Sequence, residues 1–396
     1  MRMTFAGCHP EARPPFSQSR YPLMRILFLT QGNRSTPSSR GRALQYLPAL
    51  EAAGHECVVR PAVREGEAVD GEDRGGFGAR GHQAFRTFTR RVQDLHQIRD
   101  YDWVHVQRPI LPPPLFDLES RIARETRMIF DLDAPLYLGR GKVKFPSLAW
   151  LRARRLSGIC RRAKRVVVEN EELAAFVRRQ GVEPVLLPSA VDTESYFAKG
   201  AQERRMLKIP VLGWFAAGAT DADLRELLPS LFDLHSRAPF VFRVIGGTPH
   251  AISARCPIEW TPRSAEGEAS DFAELDIGLL PRKDTPWNRA QPALRLVQFW
   301  AAGVPVVASP VGVAMRLIRH GENGLLASGR AEWSAQILRL IRDRELRRRL
   351  IAEGRRLALE QHSVQALAPR FLALFEETKS EGAHGGNAED VRAASA

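Results

Sequence analysis

An α/β chain of two Rossmann-like domains facing a cleft is the fold class the sequence predicts, on three observations. Short apolar runs recur with helix-compatible segments between them, the order that builds a parallel sheet. This pattern fills the first half, gives way to a polar, charged stretch over 193–208, and then starts again. The 396 residues, 44% apolar and 26% charged, suffice for about two domains of ordinary globular composition.

Taken in order, residues 1–23 are rich in Pro, Arg and Ser and hold no signal-peptide apolar core. They read as a disordered extension or a misassigned start. The first strand then runs from Met24 to Thr30. A loop follows from Gln31 to Gly41, then a helix from Ala43 to Ala53 closed by Gly54, and a strand from Cys57 to Val59. Glu65 to Gly81, dense in Gly, Asp and Glu, reads as a flexible loop. Strands are expected at Trp103–Val106, Met128–Phe130, Val166–Val168 and Val185–Leu187, completing an N-terminal domain over 24–200. The second domain, 201–362, predicts strand Val211–Phe215, helix Asp221–His235, strand Phe240–Ile245, strand Asp276–Leu280, helix Ala293–Ala302, strand Pro305–Ser309 and helix Ala331–Gln361. A C-terminal helix over 363–379 and a disordered tail over 380–396 complete the chain.

Composition narrows the function classes. No run reaches the roughly 18 apolar residues of a membrane-spanning helix, since Gly303 to Met315 is broken by Pro305, Pro310 and Gly312. The net charge of +13 suits an anionic partner, but only seven basic residues are Lys, and so strong an Arg bias can reflect base composition. Cys8, Cys57, Cys160 and Cys256 form no C-x-x-C pair, so neither a disulfide framework nor a zinc site is indicated. No nucleic-acid-binding module is recognisable, and nucleic acid is not an expected partner.

Several segments carry candidate chemistry. Gly213-Trp-Phe-Ala-Ala-Gly-Ala-Thr220 joins a strand to a helix. Its small residues, Gly213, Ala217 and Gly218, allow close backbone approach, and Thr220 or Asp221 caps a helix whose N-terminal amides suit a phosphate. An ordinary strand–helix turn reads the same way. Tyr101-Asp-Trp-Val-His-Val-Gln-Arg108 is a strand whose Gln107 and Arg108 reach the carboxyl end, where ligands sit in such sheets. His105 lies mid-strand, as a site residue or a core residue. Asp131 and Asp133 end another strand on a shared face, as general base and acceptor-hydroxyl partner or as loop caps. Arg40 and Arg42 follow the first strand and meet a phosphate or lie on the surface. From Ala134 to Val168 no acidic residue occurs against ten basic ones. The segment 140–165 therefore reads as a basic amphipathic helix, resting on an anionic membrane surface or covering an ordinary core stripe.

The most specific stretch is Asp284 to Gly312: a loop, a helix begun near Pro292, a stop at Gly303, a buried strand and a turn ending at Gly312, a candidate donor contact. Its Ala301-Ala-Gly-Val-Pro-Val-Val-Ala-Ser309 closely resembles the second-domain signature of family 4 glycosyltransferases with the GT-B fold. His320-Gly-Glu-Asn-Gly-Leu-Leu326, Val166-Val-Val-Glu-Asn-Glu-Glu172 and Leu187-Pro-Ser-Ala-Val-Asp-Thr193 resemble further segments of that family. Ser38-Ser-Arg-Gly-Arg-Ala-Leu-Gln-Tyr-Leu47 resembles the first loop and helix of one bacterial branch. Together these matches span about residues 24–375.

The resemblance implies a transferase that takes a nucleotide-activated sugar such as a UDP- or GDP-sugar, with no cofactor or metal and with retention of configuration. It implies a donor held by the second domain and an acceptor held by the first. The acceptor hydroxyl is unidentified: a growing polysaccharide, a lipid-linked glycan or a small molecule. The expected location is cytoplasmic, peripheral at the inner face of the plasma membrane.

The carry-over to single residues has gaps. The family's pair of Glu residues falls on Ala290 and Gln298, and a Lys pair in one branch falls on Gln291 and Arg295. Gln298 keeps hydrogen-bonding capacity and Arg295 keeps charge. The loop at Gly213 lacks the basic residue of many relatives, and Arg282, Lys283 and Arg289 lie near enough in sequence to substitute. These departures leave two alternatives in view: a catalytically weakened homologue acting as a nucleotide-sugar-binding or scaffold subunit, and a sugar epimerase on the same fold.

Overall fold

The structure is a computed structural model that describes residues 23–63, 77–111, 117–138, 146–200, 209–216, 221–246, 257–262 and 268–376. The extension 1–22, the segments 64–76 and 139–145 and the tail 377–396 lie outside the described residues.

Two parallel six-stranded sheets organise the chain. The first contains β1 (Arg25–Thr30), β2 (Glu56–Pro61), β3 (Trp103–Gln107), β4 (Arg127–Leu132), β5 (Arg165–Val168) and β6 (Val185–Leu186). Its spatial order is β2-β1-β3-β4-β5-β6. The second contains β7 (Val211–Phe215), β8 (Val241–Ile245), β9 (Ile258–Thr261), β10 (Ile277–Leu280), β11 (Val306–Ala308) and β12 (Leu325–Leu326), in the order β12-β11-β10-β7-β8-β9. Every strand pairing in both sheets is parallel. The winding reverses between β1 and β3 in the first sheet and between β7 and β10 in the second. Ligand crevices in such sheets open outside the carboxyl ends at these reversal points.

The central strands are mainly apolar because helices cover both faces. Ile26, Leu27, Phe28 and Leu29 of β1 and Met128, Ile129 and Phe130 of β4 are all buried. One layer of the first domain is closed by the helix Val364–Leu372, which crosses back after the second sheet is complete. Phe371 stacks on Tyr46 with ring centroids 4.2 Å apart and packs beside Phe28. The Arg165 guanidinium donates to the Ala373 carbonyl oxygen at 2.8 Å, tying β5 to this return segment.

Elsewhere the local chemistry refines the expected elements. Pro37–Arg42 is helical inside the expected loop, with Pro37 in its first turn. The expected loop to Gly81 ends sooner, because Phe77–Asp94 is a helix of 18 residues. Thr193–Gly200 is a helix inside the expected linker. The single helix expected over Ala331–Gln361 is two, Gly329–Arg342 and Arg344–His362. Asp343 breaks it, its side chain accepting from the Leu346 amide as the second helix's N-cap. The segment 140–165 becomes Pro146–Arg162, and the helix expected near Pro292 becomes Leu294–Ala301.

Candidate functional site

On the first domain, a hydrogen-bonded cluster covers the reversal point between β1 and β3. Gln107, fully buried at the end of β3, accepts through Oε1 from the Ser39 hydroxyl at 2.8 Å and the Gln31 amide at 3.2 Å. The Ser39 Oγ in turn accepts from the Gly32 amide at 3.0 Å. The Gln107 Nε2 donates to Asp133, and Arg108 makes a two-pronged ion pair with the same carboxylate, its Nη2 at 2.9 Å. Arg108 has φ +62°, a backbone state that L side chains rarely occupy, and its amide donates to the Asp131 carbonyl oxygen at 2.9 Å. Arg108 and Asp133 are thus held together at the carboxyl edge, with the guanidinium partly exposed.

Beneath this cluster lies a sealed ionic network. Arg42 donates to Asp131 at 2.7 Å and to Glu169 at 2.8 Å, and its Nη1 also reaches the Leu187 carbonyl oxygen. Arg42, Asp131 and Glu169 side chains are at most 1% exposed. Burial alone would lower the Arg42 pKa, but the two carboxylates overcome it and hold the guanidinium charged. Burial raises Asp131 despite Arg42, and it pushes Glu169 up to about 7 against Arg42 and the Ser189 hydroxyl. His105 is fully buried, tilted against Phe28 and Phe371, with no hydrogen bond at either ring nitrogen and its Nε2 3.7 Å from Asp131. Burial and the Arg42 charge push it down to about 3, so it is a neutral core residue. These positions correct three expectations. His105, Asp131 and Arg42 do not face the cleft: His105 packs against Phe371 of the returning helix, and Arg42 and Asp131 pair with each other in the buried layer.

Across the cleft, Glu268 links the domains. Its carboxylate, 3% exposed, meets Arg40 of the first domain and Arg295 of the second, the latter at 3.4 Å. Arg295 also lies over the Phe215 ring at 4.1 Å, at the end of β7, and it is 14% exposed. Gln298, on the same helix, donates through Nε2 to the Tyr196 hydroxyl at 2.9 Å, and its Oε1 is buried without a partner. Burial raises the Tyr196 phenol, which stays protonated. Arg40, Gln45, Asp192, Tyr196, Glu268 and Gln298 line an interdomain cavity of about 190 Å³. The Asn170 Nδ2 donates to the Ala290 carbonyl oxygen at 3.1 Å, and Arg316 pairs with Glu172 at 2.6 Å, closing the same face.

The other expected donor contacts separate by environment. Gly213 is mid-strand opposite Arg243 and Gly278, and a Cβ there would lie 2.2 Å from Leu275. It is small for core packing, which corrects its expected role toward ligand. Ala217, Gly218 and Thr220 lie outside the described residues. Arg289, at the end of the short helix Pro286–Arg289, is exposed and paired with Asp284 at 2.6 Å, a solvated charge. Gly312, at φ +57°, touches the Arg289 backbone: a Cβ would meet its carbonyl oxygen at 2.3 Å. The glycine there lets the start of Val313–Leu317 pack against the end of Pro286–Arg289. Of the expected residues, Arg40 and Gln298 line the interdomain cavity, Arg295 reaches Glu268 beside it, and Arg108 and Asp133 lie at the carboxyl edge of the first sheet. Glu268 and Tyr196 were not foreseen, since an isolated Glu and a linker Tyr carry no local signal. Among the described residues no three His, Cys, Asp or Glu side chains form a metal-ligand set, and no helix is long and apolar enough to cross a membrane.

Residues 231–373 match the model of a family described as glycosyl transferase-like. No curated protein matches the chain. Among solved structures, sucrose-phosphate synthase from Thermosynechococcus elongatus is similar at a TM-score of 0.64 and 15% identity, over 89% of this chain and 98% of that one. A glycosyltransferase from Rickettsia africae ESF-5 is similar at 0.63 and 11% identity, over 90% and 98%. Anabaena HepE in complex with UDP and glucose is similar at 0.60 and 16% identity, over 90% and 100%. These likenesses establish the two-domain architecture as that of GT-B glycosyltransferases.

Proposed function

We propose, from the GT-B architecture and the glycosyl transferase-like match over residues 231–373, that the chain is a glycosyltransferase using a nucleotide-sugar donor. The observation that carries the reading is the cationic cleft between the two sheets. Arg40 and Arg295 converge there on one buried carboxylate, beside a cavity large enough to admit part of a nucleotide. UDP and UDP-glucose occupy the HepE structures, and a donor of that class supplies oxyanions to both guanidiniums. Bidentate N–H groups of Arg suit phosphate oxygens.

On this reading the second domain binds the donor. Arg295 meets the diphosphate, where charge accumulates as the sugar leaves. Gln298, with its open Oε1, accepts from a hydroxyl of the nucleotide. The acceptor hydroxyl enters along the first domain, where the Arg108–Asp133 pair borders the crevice. Transfer proceeds with retention and without metal, the guanidiniums balancing the leaving group. The acceptor is a polysaccharide, a lipid-linked glycan or a small molecule, and the protein works in the cytoplasm at the inner membrane face. Support for the membrane contact comes from Pro146–Arg162, where Trp150 is 59% exposed beneath Arg154. Co-sedimentation with anionic lipid vesicles, lost in Trp150→Glu, tests that part.

A specific observation favours a second reading, a binding or scaffold homologue. Ala290, at the position of a family Glu, is buried against the first domain and its carbonyl is occupied by Asn170. A thermal-shift panel of nucleotide sugars followed by donor turnover separates the readings. Stabilisation with turnover is the expected result. Stabilisation without turnover supports the binding subunit, conversion of donor without acceptor supports an epimerase, and no stabilisation contradicts the nucleotide-sugar reading.

A further inference from the structure

One contact across the crevice sets a carboxylate of the chain itself against the guanidiniums beside the interdomain cavity. Glu268 opens the helix Glu268–Ala273 of the second domain, and its side chain is 3% exposed. It pairs with Arg40 of the helix Pro37–Arg42 in the first domain and with Arg295 of Leu294–Ala301 in the second, the latter at 3.4 Å. Each guanidinium has support within its own domain. The Arg40 Nη1 donates to the Arg34 carbonyl oxygen at 3.0 Å, and Arg295 lies over the rings of Phe215 and Phe272, 4.1 and 5.3 Å from their centroids. Glu268 is the group that joins them, and it lines the cavity together with Arg40 and Gln298.

The surroundings indicate what this carboxylate does. An acid in the first turn of a helix ordinarily sits in solvent near the helix's own amides. Glu268 is instead withdrawn from water, which a carboxylate tolerates only beside compensating charge. Arg316 and Glu172 also tie the domains, but that pair is half-exposed and lies outside the cavity lining, so solvent screens it. Taken together, Arg40, Arg295 and Glu268 carry one net positive charge; with the carboxylate turned away, two charges are open to a ligand. A dianion gains both only by displacing Glu268, because like charges set side by side repel.

We infer that Glu268 is an autoinhibitory clasp: in the ligand-free protein it occupies Arg40 and Arg295 and ties the two domains, and an anionic ligand binds by displacing it. Binding then releases one interdomain tie, so any closure about the ligand is rebuilt on the ligand itself. The clasp rests on Glu268 and its two partners. The identity of the displacing anion as a nucleoside diphosphate rests on the nucleotide-sugar reading.

Titration calorimetry with UDP and inorganic pyrophosphate, on the full chain and on Glu268→Gln and Glu172→Gln, tests it, together with small-angle scattering of each ligand-free protein. Glu268→Gln keeps the size and polarity of the side chain and removes its charge. It is expected to bind at least one probe about tenfold tighter or more, the scale of one charged hydrogen bond, and to have a larger radius of gyration without ligand. Glu172→Gln breaks the other interdomain ion pair and is expected to leave both affinities unchanged. A gain in Glu268→Gln alone supports the clasp, because removing a carboxylate with only a structural role does not tighten binding. An unchanged radius with tighter binding retains the occupied guanidiniums and overturns the interdomain tie. Unchanged or weakened affinity in Glu268→Gln, or an equal gain in both variants, overturns the clasp and leaves the transferase reading standing. Binding of neither probe by any of the proteins contradicts the nucleotide-sugar reading, and scattering then decides: a larger radius in Glu268→Gln retains the tie, an unchanged one overturns it. Where Glu268→Gln does not fold, hydrogen exchange in the unchanged protein decides. Pyrophosphate is expected to speed exchange in Pro37–Arg42 and Glu268–Ala273, and slower exchange there overturns the clasp.

Discussion

Glu169 shows how burial, rather than charge pairing alone, sets the behaviour of a single residue. Its Oε2 accepts from Arg42 and from the Ser189 hydroxyl at 2.7 Å, yet its Oε1 is buried and unpartnered. Burial raises its pKa from 4.5 in the reference state to about 7 in the fold, so the folded protein binds the proton more tightly than the unfolded chain. The contribution of this group to stability is therefore greatest below about 4.5 and is lost as pH rises through about 7. Chemical denaturation at a series of pH values should show this fall, of order 3 kcal/mol at most. Glu169→Gln keeps an acceptor for Arg42 and should flatten that part of the profile. An identical slope in the variant would remove Glu169 as its source. The same network explains why Asp131, an attractive site residue by its place at a strand end, is spent on structure. A charge-bearing residue at the carboxyl edge faces either the crevice or the layer beneath, and sequence alternation alone does not say which.

At the level of elements, the strands were legible because doubly covered parallel strands demand short unbroken apolar runs. β1, β3, β4, β5, β7 and β10 fall where Met24–Thr30, Trp103–Val106, Met128–Phe130, Val166–Val168, Val211–Phe215 and Asp276–Leu280 predict them. The short strand β12 and short helices such as Pro37–Arg42 were not, since they are held by neighbours more than by pattern. The cleft residues Arg40, Arg295 and Gln298 were found because they lie in or beside recognisable segments. Glu268 was hidden because its importance arises only when two domains meet. Gly213 illustrates the opposite error, a glycine read as ligand contact that packing explains. Its strand position leaves no room for Cβ against Leu275, while Gly278 opposite it makes room for Phe299. Gly213→Ala should therefore destabilise the second domain by about 1–3 kcal/mol, as an overpacked core does. Nucleotide affinity of the folded fraction should stay unchanged. Calorimetric melting and a nucleotide titration check the two halves of this expectation, and weaker binding at full stability would return Gly213 to the site.

On the scale of the whole molecule, the two domains are joined by more than the link between them. Val364–Leu372 makes the core of the first domain depend on the far end of the chain, through Phe371, Leu374 and Phe375. Phe371→Ala should cost about 3–5 kcal/mol, the usual price of emptying a buried aromatic position. The loss should appear in the first domain, read by hydrogen exchange in β1, β3 and β4. Exchange confined to the second domain would mean that the returning helix does not hold the first.

The cleft itself is held by Arg40, Glu268 and Arg295, so an anionic ligand must compete with an internal carboxylate for the same guanidiniums. The most direct measurement is a crystal structure of the protein soaked with UDP, GDP and ADP in turn, with binding compared in Arg295→Ala. The account predicts diphosphate density within hydrogen-bonding distance of Arg295, near the open Oε1 of Gln298, and binding weakened about tenfold to a hundredfold in the variant, the scale of one lost charged hydrogen bond. Density for none of the three, or equal affinity in Arg295→Ala, would contradict it.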